Sequence, residues 1–127
     1  MAAASAAVNT FQTVTQTVQS GEVVVYTAPV GYTGVVLLAQ CTNMGSATYT
    51  MTLQFRREGV DVPLISEVPI PPIDTANLLA GKLVLETGDS LVTNGSNATN
   101  LKFLTSILET SNLCLLYTSP SPRDVEE

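Results

Sequence analysis

The segment ATYTMTLQFRR, residues 47–57, is the part of the sequence that decides the fold. Large apolar residues alternate in it with polar ones at every second position. The apolar set is Tyr49, Met51, Leu53 and Phe55, and the polar set is Thr48, Thr50, Thr52 and Gln54. A period of two puts each set on its own face of a β-strand, whereas a helix would scatter both sets around its circumference. The segment therefore predicts a strand with one face in a hydrophobic core.

Three segments before it also predict strands, because turn residues separate them. FQTVTQTVQ (11–19) alternates with period two, and EVVVYTA (22–28) is rich in β-branched residues. GVVLLAQCTN (34–43) is a nearly continuous apolar run. Such a run is typical of a strand that is buried on both faces or lies centrally in a sandwich.

Prolines and glycines interrupt the apolar segments in the middle of the chain. VDVPLISEVPIP (60–71) predicts an edge strand or an irregular connection, because proline cannot donate a hydrogen bond to a sheet. Further on, Gly81 and Gly88 bracket the segment KLVLE. This segment predicts a short buried strand with Leu83 and Leu85 in the core.

The closing segment LKFLTSILET (101–110) follows an evident loop, NGSNATN (94–100). It predicts the last strand, although Leu104 and Leu108 are out of phase and leave a short helix as the alternative. Turn signals recur about every 8–12 residues, which is the spacing of a sandwich or barrel. The predicted fold class is all-β, an antiparallel β-sandwich of jelly-roll type with roughly seven or eight strands.

The 127 residues fit one domain with short extensions. Residues 1–10 are expected to form a flexible N-terminal segment, and residues 11–112 the β-sandwich. From residue 113 the sequence loses its periodicity, and CLLYTSPSPRD (114–124) resembles a translated sequencing-adapter read-through. Residues 113–127 are therefore interpreted as a disordered, non-native tail. Without them the net charge is −4 instead of −6, because eight acidic and four basic residues remain.

The composition argues against several classes of function. With five Lys and Arg residues and a net charge of −6, the chain lacks the cationic surface that nucleic-acid binding needs. It contains no histidine, the commonest general base and metal ligand. No apolar run approaches the roughly 18 residues of a membrane span, so no membrane association is expected. Cys41 and Cys114 match no zinc or redox spacing and are interpreted as two unpaired thiols, with a disulfide between them as the alternative. No cofactor or metal site is predicted.

One tripeptide, Asp74-Thr75-Ala76, resembles the catalytic turn of pepsin-like and retroviral-type aspartic proteases. Retroviral-type proteases are all-β homodimers in which two carboxylates share a proton and activate a water. Here the tripeptide comes late in the domain, directly after Pro71 and Pro72, and no glycine-rich flap is positioned to cover it. These features favour Asp74 as a hydrogen-bond acceptor in a turn or at a helix cap.

Other polar groups allow a functional and a structural interpretation. Glu86 and Asp89 flank Thr87-Gly88 and could hold a cation or act as an acid–base pair, but such a string more often forms a hairpin whose side chains bind local amides. Asn94 and Asn97 begin glycosylation sequons that read more simply as a polar loop.

Three tyrosines offer a possible carbohydrate site. Tyr26, Tyr32 and Tyr49 could form a platform on which a sugar ring stacks. Against this, the chain has no tryptophan, and Tyr49 falls on the predicted core face.

The order of these features resembles the small virion structural proteins of tailed bacteriophages of the marine and cyanobacterial type. In that pattern a Tyr-Thr-x-Pro-x-Gly turn leads into an apolar strand, and a Pro-Ile-Pro link leads to Leu-x-Gly-Lys-Leu-Val-Leu-Glu-x-Gly-Asp-x-Leu. The matching residues here are Tyr26, Thr27, Pro29, Gly31, Pro69–Pro72, Leu79, Gly81–Glu86, Gly88, Asp89 and Leu91. The resemblance spans about residues 22–110.

The resemblance implies a non-enzymatic β-sandwich that assembles into a virion in the cytoplasm of a bacterial host. It would serve as a capsid decoration, neck, tail or fibre component, as a homo-oligomer in contact with other virion proteins. No catalytic residue is then expected. The alternative hypothesis is a carbohydrate- or receptor-binding module of a phage fibre with a glycan receptor, and the remote one is a dimeric aspartic protease that uses Asp74.

Overall fold

Nine β-strands make up residues 9–112, the part of the chain that this computed structural model describes. The strands are β1 (Asn9–Thr17), β2 (Val23–Thr27), β3 (Tyr32–Asn43), β4 (Tyr49–Arg57), β5 (Val60–Ile70), β6 (Asp74–Asn77), β7 (Leu83–Leu85), β8 (Ser90–Gly95) and β9 (Leu101–Ser111). Residues 1–8 of the predicted flexible segment and all of the predicted tail 113–127 lie outside the described residues, while Asn9 and Thr10 belong to β1.

The strands form two antiparallel sheets, which confirms the predicted β-sandwich. The first sheet has the order β1-β9-β3, with β6 and β7 both paired to the far side of β3. The second sheet has the order β2-β8-β4-β5. Because β6 and β7 share one position, the nine strands fill eight places in two four-stranded sheets. This is the arrangement of a jelly roll.

The break between β6 and β7 explains why there are nine strands and not eight. Residues 74–77 pair with the end of β3, and residues 83–85 pair with its beginning. Between them residues 78–82 form no strand, although the Leu78 amide still donates to the Ala39 carbonyl at 2.8 Å. The predicted KLVLE strand is confirmed as β7, with Leu85 fully buried and Leu83 packed against the core.

The core lies between the two sheets and follows the predicted alternation. Met51 and Leu53 of β4 are fully buried, and Tyr49 and Phe55 pack partly buried against them. The first sheet contributes inward residues of β3 and β9, including Phe103. LKFLTSILET is a strand and not a helix, because Leu101, Phe103, Thr105 and Ile107 alternate into the core.

Proline placement agrees with the position of β5. Pro63 and Pro69 lie in this strand, which among residues 9–112 pairs only with β4 and so forms an edge of the second sheet. An edge strand tolerates proline because its missing donor faces away from the sheet. Among residues 9–112 no helix is long and apolar enough to cross a membrane.

Candidate functional site

Asp74 is the first residue of β6, on an exposed edge of the first sheet. Its Oδ1 atom accepts a hydrogen bond from the amide of Thr75 at 2.8 Å. The Thr75 hydroxyl in turn pairs with that of Thr42 at 2.7 Å. The carboxylate thus binds a local amide as predicted, at the start of a strand and not at a helix cap.

Exchanging this carboxylate for an amide should leave the protein unchanged. We expect Asp74→Asn to keep the thermal midpoint of the wild type, because an exposed amide oxygen can still accept the Thr75 hydrogen bond. Differential scanning fluorimetry and a peptide-cleavage assay at acid pH test this. Cleavage by the wild type that the substitution abolishes would establish the protease hypothesis instead.

The turn at residues 86–89 is built around the Asp89 carboxylate. Its Oδ2 atom accepts from the Glu86 amide at 2.8 Å, so the predicted binding of a local amide is confirmed. The predicted hairpin is wrong, because β7 and β8 on either side of the turn lie in different sheets. Arg57 then binds the same carboxylate with two nitrogens, Nε at 2.9 Å and Nη2 at 2.6 Å. The Asp89 side chain is only 3% exposed, whereas Arg57 is 47% exposed and its guanidinium lies over the Phe55 ring, 5.2 Å from the centroid.

This geometry assigns Asp89 a structural role. The guanidinium of Arg57 lowers the pKa of the Asp89 carboxyl, and the Glu86 amide lowers it further, against the opposing effect of burial. Glu86 lies at the edge of the same cluster, with its carboxylate 3.6 Å from Arg57. A paired, hydrogen-bonded carboxylate has few lone pairs left for a cation. Within residues 9–112 no group of three or more His, Cys, Asp or Glu side chains is placed to hold a metal ion.

The three tyrosines do not meet. Tyr26 is buried, and its hydroxyl donates to Glu109 Oε2 at 2.6 Å. Its pKa is raised by burial, by this hydrogen bond and by the charge of Glu109. Tyr32 is the first residue of β3, and Tyr49 comes after the last residue of β3 and begins β4. The length of β3, roughly 35 Å, therefore lies between the two tyrosines. The structure therefore does not bring these three side chains together as the alternative of a sugar platform would require.

Glycine at position 34 is required by the burial of Tyr26. A Cβ atom there would stand 2.9 Å from the Tyr26 hydroxyl oxygen. The polar loop after β8 is likewise held by its own side chains: Asn97 Oδ1 accepts from the amides of Thr99 and Asn100, at 2.9 and 2.7 Å. Asn94 lies within β8.

Cys41 is a buried thiol on the inward face of β3. Burial raises its pKa to about 11. At pH 8 the thiolate fraction is then on the order of 0.1%, and only the thiolate is nucleophilic.

We therefore expect Cys41 to resist thiol reagents in the folded protein. In a Cys114→Ser background, a maleimide should label the native protein at least about 100-fold more slowly than the denatured protein. Mass spectrometry of the labelled chain at successive times measures both rates. Equal rates in buffer and in denaturant would mean that β3 opens readily.

The outer faces of the two sheets differ in charge. On the second sheet Arg56 bridges two acids, Glu22 at 2.7 Å and Asp61 on the neighbouring strand. The outward residues of the first sheet instead form what we call the Thr-Leu face. Its members are Asn9, Phe11, Thr13, Thr15, Thr17, Thr33, Val35, Leu38, Gln40, Thr42, Thr75, Asn77, Val84, Lys102, Leu104, Ser106, Leu108 and Thr110.

Lys102 is the one charged member of the Thr-Leu face, and its ammonium donates to the Thr17 hydroxyl at 3.0 Å. The face accounts for the predicted threonine alternation in β1, because Thr13, Thr15 and Thr17 point outward there. Sequence reasoning did not identify the face as a whole, because its members come from five strands. A signal was present in Leu104 and Leu108, which break the alternation of β9 because they belong to this outer face.

No protein family model and no curated protein matches the sequence. Solved structures do match. A protein from the disulfide-linked pili of Bacillus endospore appendages aligns with a TM-score of 0.53 and 11% identity, over 82% of this chain and 87% of the other. A protein from the capsid of the Helicobacter pylori bacteriophage KHP30 aligns with a TM-score of 0.51 and 12% identity, over 82% and 88%. At such identities the likeness shows a shared fold.

Proposed function

We propose that this chain is a non-enzymatic structural subunit of a bacteriophage virion, which acts by packing against neighbouring subunits. The observation that carries the proposal is the jelly roll itself, a fold shared with the KHP30 capsid protein over 82% of this chain. Jelly rolls recur in viral capsids, where the double sheet presents broad faces to its neighbours.

The distribution of charge supports a packing role. Only 13% of the residues are charged, about half the usual share. Interfaces are depleted of charged residues at their centre, because each charge must be desolvated on assembly. Within the virion the proposal covers a capsid decoration, neck, tail or fibre component, assembled in the cytoplasm of the bacterial host.

Particles from the bacterial host that carries the gene test this proposal. After density-gradient purification, mass spectrometry should find peptides of residues 9–112 in a fixed ratio to the other virion proteins. A host strain from which the gene has been deleted is the control. A chain confined to the soluble fraction would contradict the proposal.

A second candidate is a subunit of a pilus-like filament, which the match to the Bacillus appendage protein favours. That protein comes from disulfide-linked pili. In this chain Cys41 is fully buried, so a linkage through it would require opening of the core. The same gradient separates the two candidates, because filaments and phage particles differ in sedimentation and in appearance by electron microscopy.

A further inference from the structure

We infer that the Thr-Leu face is the surface through which a second copy of this chain packs. This contact between two copies rests on the proposed function, because it would be one of the contacts that build the assembly. The register of the first sheet arranges the outward residues in rows across the strands.

One row of the Thr-Leu face is wholly apolar. Phe11, Leu108, Val35 and Val84 are consecutive neighbours across β1, β9, β3 and β7. Phe11 is 74% exposed and Val84 is 53% exposed. A continuous apolar row that spans a whole sheet is costly to leave in water, and it marks the surface as a contact site.

The end of the face at Thr17 and Thr42 is polar but not acidic. There the row consists of Thr17, Lys102, Thr42 and Thr75, whose side chains are already joined by hydrogen bonds between Lys102 and Thr17 and between Thr42 and Thr75. Side chains that bind one another within the face can enter an interface without losing all of their hydrogen bonds.

Charge favours the Thr-Leu face over the outer face of the second sheet for contact with a second copy. Residues 9–112 carry a net charge of −4, and Glu22 and Asp61 lie on the outer face of the second sheet. On that face two acids share the single Arg56, so two copies that approached through it would bring an excess of negative charge together. The Thr-Leu face contains no acid, and Lys102, which already donates to Thr17, is its one charged residue. Self-association therefore costs least through the Thr-Leu face.

The face is also large enough. Four strands about 4.8 Å apart, with the 11 residues of β9 at about 3.3 Å each, cover roughly 700 Å². A stable interface of standard size buries about 800 Å² on each partner.

Symmetry then fixes how the two copies meet. A two-fold axis that lies between the packed sheets and runs along the strands keeps each row opposite the same row of the second copy. The apolar row meets the apolar row, and Phe11 on β1 faces Val84 on β7 of the second copy. An axis across the strands would instead set the apolar row against the row of Lys102.

The test is sedimentation equilibrium of the full-length chain and of single variants. We expect the wild type to dimerise, and Phe11→Lys and Val84→Glu each to raise the dissociation constant at least about 100-fold, because each buries two unpaired charges per dimer. An equimolar mixture of these two variants should recover association to within about tenfold of the wild type. The recovery is expected because the mixed dimer has one Lys–Glu contact and one native Phe–Val contact.

Val24→Glu is the matched control. Val24 is a strand valine on the outer face of the second sheet, 48% exposed against 53% for Val84, so both variants change the net charge equally at similar exposure. It should leave the dissociation constant within about threefold of the wild type. Unchanged thermal midpoints verify that the variants remain folded.

Three results would overturn the inference: a wild type that stays monomeric, equal weakening by Val24→Glu and Val84→Glu, or no recovery in the mixture. None of them bears on whether the chain co-purifies with virions. Conversely, a chain that dimerises as described but is absent from particles would contradict the proposed function alone.

Discussion

Replacing Asn43 with alanine should lower the free energy of unfolding by about 4 kcal/mol. Asn43 is the last residue of β3 and is fully buried. Its amide nitrogen donates to the carbonyls of Ala47 at 2.7 Å and Ile70 at 2.9 Å, and its amide oxygen accepts from the Gly45 amide at 2.8 Å. One side chain therefore satisfies three backbone groups.

The expected cost is large because the hydrogen bond to the Ile70 carbonyl is fully buried, where water cannot replace the Asn43 amide. Ile70 ends β5 in the second sheet, so Asn43 ties the first sheet to the second as well as shaping the turn into β4. A buried polar group left without a partner costs about 1–3 kcal/mol, and alanine would leave the Ile70 carbonyl in that state. Chemical denaturation followed by tyrosine fluorescence measures the loss.

Two variants separate hydrogen bonding from packing. Asn43→Leu restores the side-chain volume but none of the hydrogen bonds, so it should be nearly as unstable as Asn43→Ala. Asn97→Ala removes an asparagine that accepts two backbone hydrogen bonds in an outer loop, and it should cost only about 1 kcal/mol. Wild-type stability in Asn43→Leu would show that volume, and not hydrogen bonding, is what position 43 requires.

Alternation and turn residues made the strands with one buried face predictable. In β4 the inward residues Met51 and Leu53 are fully buried, as period two requires. The prolines of β5 correctly indicated an edge strand, because an absent amide donor is a property of the residue itself. These features depend on local chemistry, and they were sufficient to predict a sandwich.

Two strands could not be predicted because pairing, and not composition, creates them. β6 reads Asp-Thr-Ala-Asn, which has no apolar face, and it is extended because it pairs with the end of β3. β8 places Leu91, Val92 and Thr93 in buried positions in succession, so it shows no alternation. Its last two residues, Asn94 and Gly95, have the turn propensity of a loop, yet they continue the strand.

The polar contacts between distant parts of the chain could not be predicted from the sequence either. Asn43 and Ile70 are 27 residues apart, and Arg57 and Asp89 are 32 apart. The turn residues Glu86–Asp89 correctly indicated side chains bound to local amides, but the sequence holds no sign that this turn joins the two sheets or that an arginine from another strand completes it. Only the sandwich topology, which sets β8 beside β4, brings these groups together.

Removing the Asp89 carboxylate should lower the free energy of unfolding by about 3 kcal/mol at neutral pH. It should also make the free energy of unfolding depend less on pH in the acid range. Asp89→Ala loses both hydrogen bonds from Arg57 and the one from the Glu86 amide. The loss lies at the lower end of the range for buried pairs, because Arg57 is half exposed and water can solvate it once Asp89 is gone.

The sign of the pH dependence follows from the lowered pKa of Asp89. A carboxyl whose pKa is lower in the folded than in the unfolded state stabilises the fold fully above its unfolded-state value, near 4, and loses this effect as the pH falls through the folded-state pKa. The free energy of unfolding of the wild type should therefore decrease from about pH 5 downward, and that of Asp89→Asn should decrease less steeply. Urea titrations at a series of pH values measure both slopes.

Asp61→Asn is the matched control for this prediction. Asp61 also binds an arginine with both oxygens, but its side chain is 27% exposed and its partner Arg56 is shared with Glu22. Solvent screens such a pair, so Asp61→Asn should change the stability and its acid dependence far less than Asp89→Asn does. Equal effects of the two variants would mean that burial of the Asp89 carboxylate does not strengthen its pairing, and that the turn at residues 86–89 is held mainly by its backbone hydrogen bonds.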